Sequence, residues 1–109
     1  MNWIQINKIE DLDTIIESSF NSPVAIFKHS TRCGISSYVL KNIERSLKDE
    51  DLRADLYFLD LIAFRDISNS IAERLAVVHQ SPQLILIKDG KVLYHASHQS
   101  IDSSVLINN

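Results

Sequence analysis

VAIFKHSTRCGISSYVL (residues 24–40) passes from a short apolar run, through a polar bend, into a helical repeat. Pro23 breaks what precedes it, and "VAIFK" (24–28) then reads as a buried strand, too short and too evenly apolar for a helix. From about residue 34 to 48, Ile35, Val39, Ile43 and Leu47 recur every fourth position, which lines one face of a helix. Lys41, Arg45 and Lys48 fall toward the end of that helix, where the negative end of its dipole favours cations. The only cysteine of the chain, Cys33, stands where strand gives way to helix.

The flanking sequence extends this unit on both sides. "NWIQI" (2–6) alternates like a short first strand, and "KIEDLDTIIESSF" (8–20) has the spacing of an amphipathic helix with acids in its first turns. "ADLYFLDLI" (54–62) is a second buried strand, and "FRDISNSIAERLAV" (64–77) repeats the helical pattern through Ile67, Ile71 and Leu75. "QLILIK" (83–88) and "KVLYHA" (91–96) flank Asp89-Gly90, a strong two-residue hairpin signal. "IDSSVLIN" (101–108) reads as a closing helix. The order β-α-β-α-β-α-β-β-α predicts an α/β, thioredoxin-like fold: a central mixed sheet with helices on both faces.

Length and composition narrow the function classes. The 109 residues suit one domain, spanning 1–109. Net charge is −3 with no basic block, which argues against nucleic acid or an anionic membrane as partner. The start "MNWIQINKIEDLD" lacks a basic region followed by an apolar stretch, so no signal peptide is expected, and no apolar run reaches membrane-spanning length. A single thiol that cannot pair internally survives best in a reducing compartment, so a cytoplasmic location is expected. With glycine only at positions 34 and 90, a P-loop and a G-x-G-x-x-G phosphate cradle are both excluded. The sequence carries no signal of oligomeric state.

Cys33 is the candidate nucleophile. The first N–H groups of a helix lack internal partners, and its dipole is positive there. No Asp or Glu occurs between Val24 and Ile43, so the helix start has room for an anion, and Arg32 adds a cation beside it. Thiolate, not thiol, is the reactive form. Ser36 follows one turn later on the same face, where a dithiol site would carry its second cysteine. Its hydroxyl is placed to donate to the sulfur but cannot resolve a mixed disulfide. Exchange at Cys33 alone therefore ends in a mixed disulfide that an external thiol must release.

"FKHSTRCGIS", "HQSPQLILIKDGKVL" and "ASHQSI" together resemble one family, the monothiol bacilliredoxins of the YtxJ type, also called bacillithiol-system redox-active proteins. The likeness runs from Trp3 to Ile101. It implies a thioredoxin-like fold and the removal of bacillithiol from protein mixed disulfides, with Cys33 accepting the thiol. Bacillithiolated proteins and the low-molecular-weight thiol are the implied partners. No bound cofactor is implied, bacillithiol being a co-substrate. Thr31 and Gln83 belong to the matching motifs and enter as supporting positions. "CGIS" also resembles the "CGFS" of monothiol glutaredoxins, where better-known bacilliredoxins carry proline in place of Gly34. An iron–sulfur carrier of that kind is the alternative, with a redox-inactive adaptor on the same scaffold. The chain lacks the glycine-pair-aspartate motif that such glutaredoxins use for glutathione.

Pro82 matches the proline that thioredoxin-like folds hold cis beside the nucleophile, against a plain trans proline opening a strand. Such a turn exposes the Ser81 backbone for strand addition by an extended substrate. His29 has two readings: it tunes Cys33 or supplies a proton, or it bonds only to the backbone. Lys28 beside it leads into the same loop and reads as solvated. His98 follows the last strand at the expected cysteine end of the sheet and is a candidate lining residue. No metal is expected: His95 and His98 would not converge with Cys33.

Overall fold

The computed structural model describes residues 2–108; Met1 and Asn109 lie outside the described residues. Among the described residues five strands form one sheet: β1 (Ile4–Gln5), β2 (Val24–His29), β3 (Asp55–Asp60), β4 (Gln83–Lys88) and β5 (Lys91–Ser97). Three helices connect them: α1 (Asp11–Ser18), α2 (Gly34–Leu47) and α3 (Arg65–Leu75). The sheet order is β1-β3-β2-β4-β5. β3 is parallel to β1 and β2, β4 is antiparallel to β2, and β5 closes the hairpin. The mixed sheet with helices on both faces is the architecture expected from the element order.

Strand periodicity sorts the core into two layers. Val24 and Ile26 of β2, with Ile85 and Ile87 of β4, pack against Leu12 and Ile15 of α1 and Ile67 and Ile71 of α3. Ala25 and Phe27, with Leu84 and Leu86, pack on the other face against Val39, Ile43 and Leu47 of α2. Both faces of β2 are therefore covered, and all six of its residues are buried. Lys28 continues the first face and His29 the second.

Three elements differ from the sequence reading. The first strand contracts to two exposed residues. The first helix spans Asp11–Ser18, not 8–20, leaving Ile9 and Phe20 exposed. Its end is fixed by the hairpin: the Ser19 carbonyl accepts the Asp89 N–H (2.8 Å) and the Ser19 hydroxyl accepts the Gly90 N–H (2.8 Å). Phe20 then lies over Gly90, where an added Cβ would meet its ring at 2.8 Å. The closing helix is only a 3-10 turn, Ser103–Leu106, started by Asp102 accepting from the Ser104 N–H at 3.0 Å. It stops because its neighbours pair elsewhere: Leu106 O accepts from Arg53 N–H, Asn108 N–H donates to Asp51 O, and Ile107 bridges Leu52.

Candidate functional site

Cys33 occupies the N-cap of α2 with extended backbone (φ −115°, ψ 117°). Its N–H donates to Ser30 O at 3.2 Å, which folds the bend tightly, and its carbonyl accepts from Ser37 N–H at 3.2 Å. The thiol is free and partly exposed. The first turn of α2 holds no acid, so its unpaired N–H groups and positive dipole end stand uncompensated beside the sulfur. Thr31 and Arg32 are exposed, and Arg32 makes no ion pair among the described residues. Gly34 has no atom within 4 Å of a would-be Cβ, so space does not require glycine there.

The Ser81–Pro82 peptide bond is cis. Because Lys28 of β2 lies opposite Gln83 of β4, Ser81 and Pro82 continue alongside Ser30 and His29. The cysteine bend and the proline loop thus meet at one end of the sheet, on neighbouring strands spaced about 4.8 Å. Pro82 O accepts from His98 N–H at 3.0 Å, which brings His98, in left-handed backbone at φ 54°, to the same end. His98 lines a cleft of about 310 Å³ with Tyr38, Asn42 and Ser103.

The structure departs from the sequence reading of Ser36. Ser36 is fully buried and does not serve the sulfur: its hydroxyl accepts from Ser30 N–H (3.1 Å) and is bonded to His29 Nδ1 (2.7 Å). Among the described residues it makes no hydrogen bond to Cys33. Helix geometry explains this, since α2 turns position 36 under the bend while the cap residue stays on its rim. His29 correspondingly bonds a hydroxyl, not the backbone. Its ring packs beside Phe58 (5.4 Å between centroids) and Phe27 (6.2 Å). Burial pushes its pKa down, with Asp60 opposing, so the imidazole is held neutral. Gln83 is also buried: its Oε1 accepts from Gln80 N–H and its Nε2 donates to Val78 O, so it braces the proline loop from within.

The backbone of Ser81 makes no hydrogen bond with the described residues, and its hydroxyl oxygen is buried without a partner. The loop is therefore tied at Val78, Gln80 and Pro82, with Ser81 left open between them.

The largest surprise is Lys28. Its side chain is fully buried, not solvated. Nζ donates to Ser68 O at 3.1 Å and lies 3.2 Å from His79 Nδ1. Burial pushes its pKa from 10.5 to about 8. Sequence reading missed both Ser68 and His79; a lysine inside an otherwise apolar strand was the available signal. Among the described residues no three His, Cys, Asp or Glu side chains converge as metal ligands. No helix of the described chain is long and apolar enough to cross a membrane.

A lone cysteine at a helix N-cap, beside a cis-proline loop at one end of a mixed five-stranded sheet, defines a thioredoxin-fold protein of the monothiol kind. Solved structures agree. A proposed oxidoreductase with a thioredoxin fold is 30% identical, with TM-score 0.77 over 93% of this chain and 87% of its own. Thioredoxin (Mala s 13) of Malassezia sympodialis (17% identical, TM-score 0.68, 95% and 84% covered) shares the fold. So does thioredoxin O2 of Arabidopsis thaliana (15%, 0.67, 94% and 86%). The family model for the monothiol bacilliredoxin BrxC matches residues 4–106, and the chain belongs to that family.

Proposed function

We propose that this protein is a monothiol thiol–disulfide oxidoreductase that removes bacillithiol, or a similar small thiol, from protein mixed disulfides through Cys33. The observation that carries the reading is the solitary thiol at the start of α2: one nucleophile, with the position that would resolve it filled by a buried serine engaged elsewhere. The Cys33 thiolate attacks the small thiol's sulfur. The substrate S–S bond breaks, its electron pair leaves on the protein sulfur, and Cys33 ends as the mixed disulfide. A second small thiol then frees Cys33.

The open Ser81 backbone supports an extended substrate docking beside the cysteine by strand addition. A reducing compartment such as the cytoplasm suits a protein that works through one free thiol.

A model protein carrying one bacillithiol mixed disulfide tests this directly. Mass spectrometry should show the substrate returning to its free thiol while the bacillithiol mass appears on Cys33. Cys33→Ser should abolish transfer completely. Transfer by that variant, or a wild-type protein that never gains the adduct, refutes the reading. A parallel substrate carrying glutathione separates bacillithiol preference from general exchange.

A further inference from the structure

Lys28 leaves β2 on the face away from α2 and enters the layer beneath α3. There its ammonium meets the Ser68 carbonyl and His79 Nδ1, and the Ser68 hydroxyl lies 3.2 Å from the same nitrogen. An ammonium has only donors, so Nδ1 accepts, and a neutral imidazole accepting at Nδ1 carries its hydrogen on Nε2. His79 is held neutral: its pKa is pushed down by burial, by Lys28 and by Arg65. Among the described residues no carboxylate forms an ion pair with Lys28. A buried cation without a counter-ion opposes folding, and neither packing nor pairing accounts for this one.

His79 stands three residues before Pro82, in the loop whose Ser81 backbone is open. Gln83 braces that loop on either side of it, at Val78 and Gln80. The ring is only partly buried, with Nδ1 turned inward, which leaves Nε2–H on its other edge.

We infer that Lys28 and His79 form a proton relay for exchange at Cys33: His79 protonates the departing protein sulfur, and Lys28 is the positioning residue that resupplies it. The relay rests on the exchange reading above. The Cys33 thiolate bonds to the small thiol's sulfur, the substrate S–S bond breaks, and the electron pair passes to the protein sulfur. That sulfur takes the Nε2 proton, while Nδ1 takes one from Lys28 Nζ. The step leaves a neutral amine and the Nδ1–H tautomer, and water returns the proton. The lysine titrates at about 8. An ordinary thiol titrates near about 8.5, so transfer between the two ends is close to balanced, the condition in which a general acid works best.

The test varies the leaving sulfur. One substrate joins bacillithiol to a cysteine of a model protein; the other joins it to an aromatic thiol acidic enough to leave unprotonated. Lys28→Met and His79→Gln should each slow transfer from the protein cysteine by about 100-fold, the low end for a positioned acid, and leave transfer from the aromatic thiol within about twofold of wild type. A purely structural role would slow both alike. If Lys28→Met folds poorly, His79→Gln decides alone, because its ring is only partly buried. Equal loss on both substrates, or no loss on either, overturns the relay while wild-type activity upholds the exchange reading. A wild-type protein inert toward both overturns the two together.

Discussion

Lys28 and His29 are consecutive residues of one strand, yet they enter different environments. His29 points under α2, between Phe27 and Phe58, and ends on the Ser36 hydroxyl. The groups its ring touches are uncharged, and the Ser36 hydroxyl bonds both it and the Ser30 N–H. Lys28 points under α3 and carries a charge into the core with only a carbonyl and an imidazole to receive it. The α2 face is a framework: it holds the bend that presents Cys33. The α3 face stores a charge at the same end of the sheet. Strand pleating alone separates the two, since one residue's step moves a side chain to the opposite layer.

Replacing either member should expose this difference, and the largest effect belongs to the cation. The unfolded chain keeps the Lys28 proton to about pH 10.5, whereas the folded chain releases it at about 8. Between these values the unfolded state binds more protons, so stability rises with pH there. Wild type should gain about 2 kcal/mol between about pH 7.5 and 9.5 from this group. Lys28→Met should lack that rise in denaturant titrations at several pH values. Parallel curves for the two proteins would mean that Lys28 is not a buried cation.

Next comes Ser36→Ala, which strands both His29 Nδ1 and the Ser30 N–H in the core. A loss of about 1.5 kcal/mol is expected by chemical denaturation, with no change in its pH slope above about pH 7.5. Ser68→Ala should cost less, about 1 kcal/mol, because His79 Nδ1 keeps Lys28 as a donor. Equal losses for the two serines would show that the faces do not differ as described. Gly34→Pro should change least, within about 0.5 kcal/mol. Proline suits the first helical position, and the extended backbone of Cys33 is compatible with a following proline. Loss of Cys33 transfer in that variant would mean that glycine's freedom, not the helix start, serves the site.

Much of the fold was legible because its strongest signals are local. The uninterrupted apolar runs of β2 and β4, the Asp89-Gly90 turn and the four-residue repeat of α2 all appear where periodicity placed them. What escaped depends on contacts distant in sequence. Ser19 ends α1 early because a turn some seventy residues later takes its polar groups. The 101–108 segment satisfies its backbone against Asp51–Arg53 instead of coiling on itself. In the site, Cys33, the cis-proline and His98 were placed at the correct end by element order. Ser36 was read as a donor to the sulfur, because spacing gives a helix face but not which polar partner lies beneath; Gln83 entered only as a supporting position. Lys28 was open to a solvated reading because lysines are seldom fully buried, yet a central strand covered on both faces offers water no access.

The link between Ser19 and the β4–β5 turn also bears on how the molecule opens. Amides at the tip of a two-residue turn ordinarily exchange their hydrogens with solvent quickly. Those of Asp89 and Gly90 are bound instead to a residue at the end of α1, itself fully buried. Their exchange requires α1 to detach from the hairpin, so they should be protected nearly as long as the central strands. Slow exchange at the tip of a surface turn would then report the cohesion of the N-terminal third of the chain with its C-terminal hairpin, at the end of the sheet farthest from Cys33.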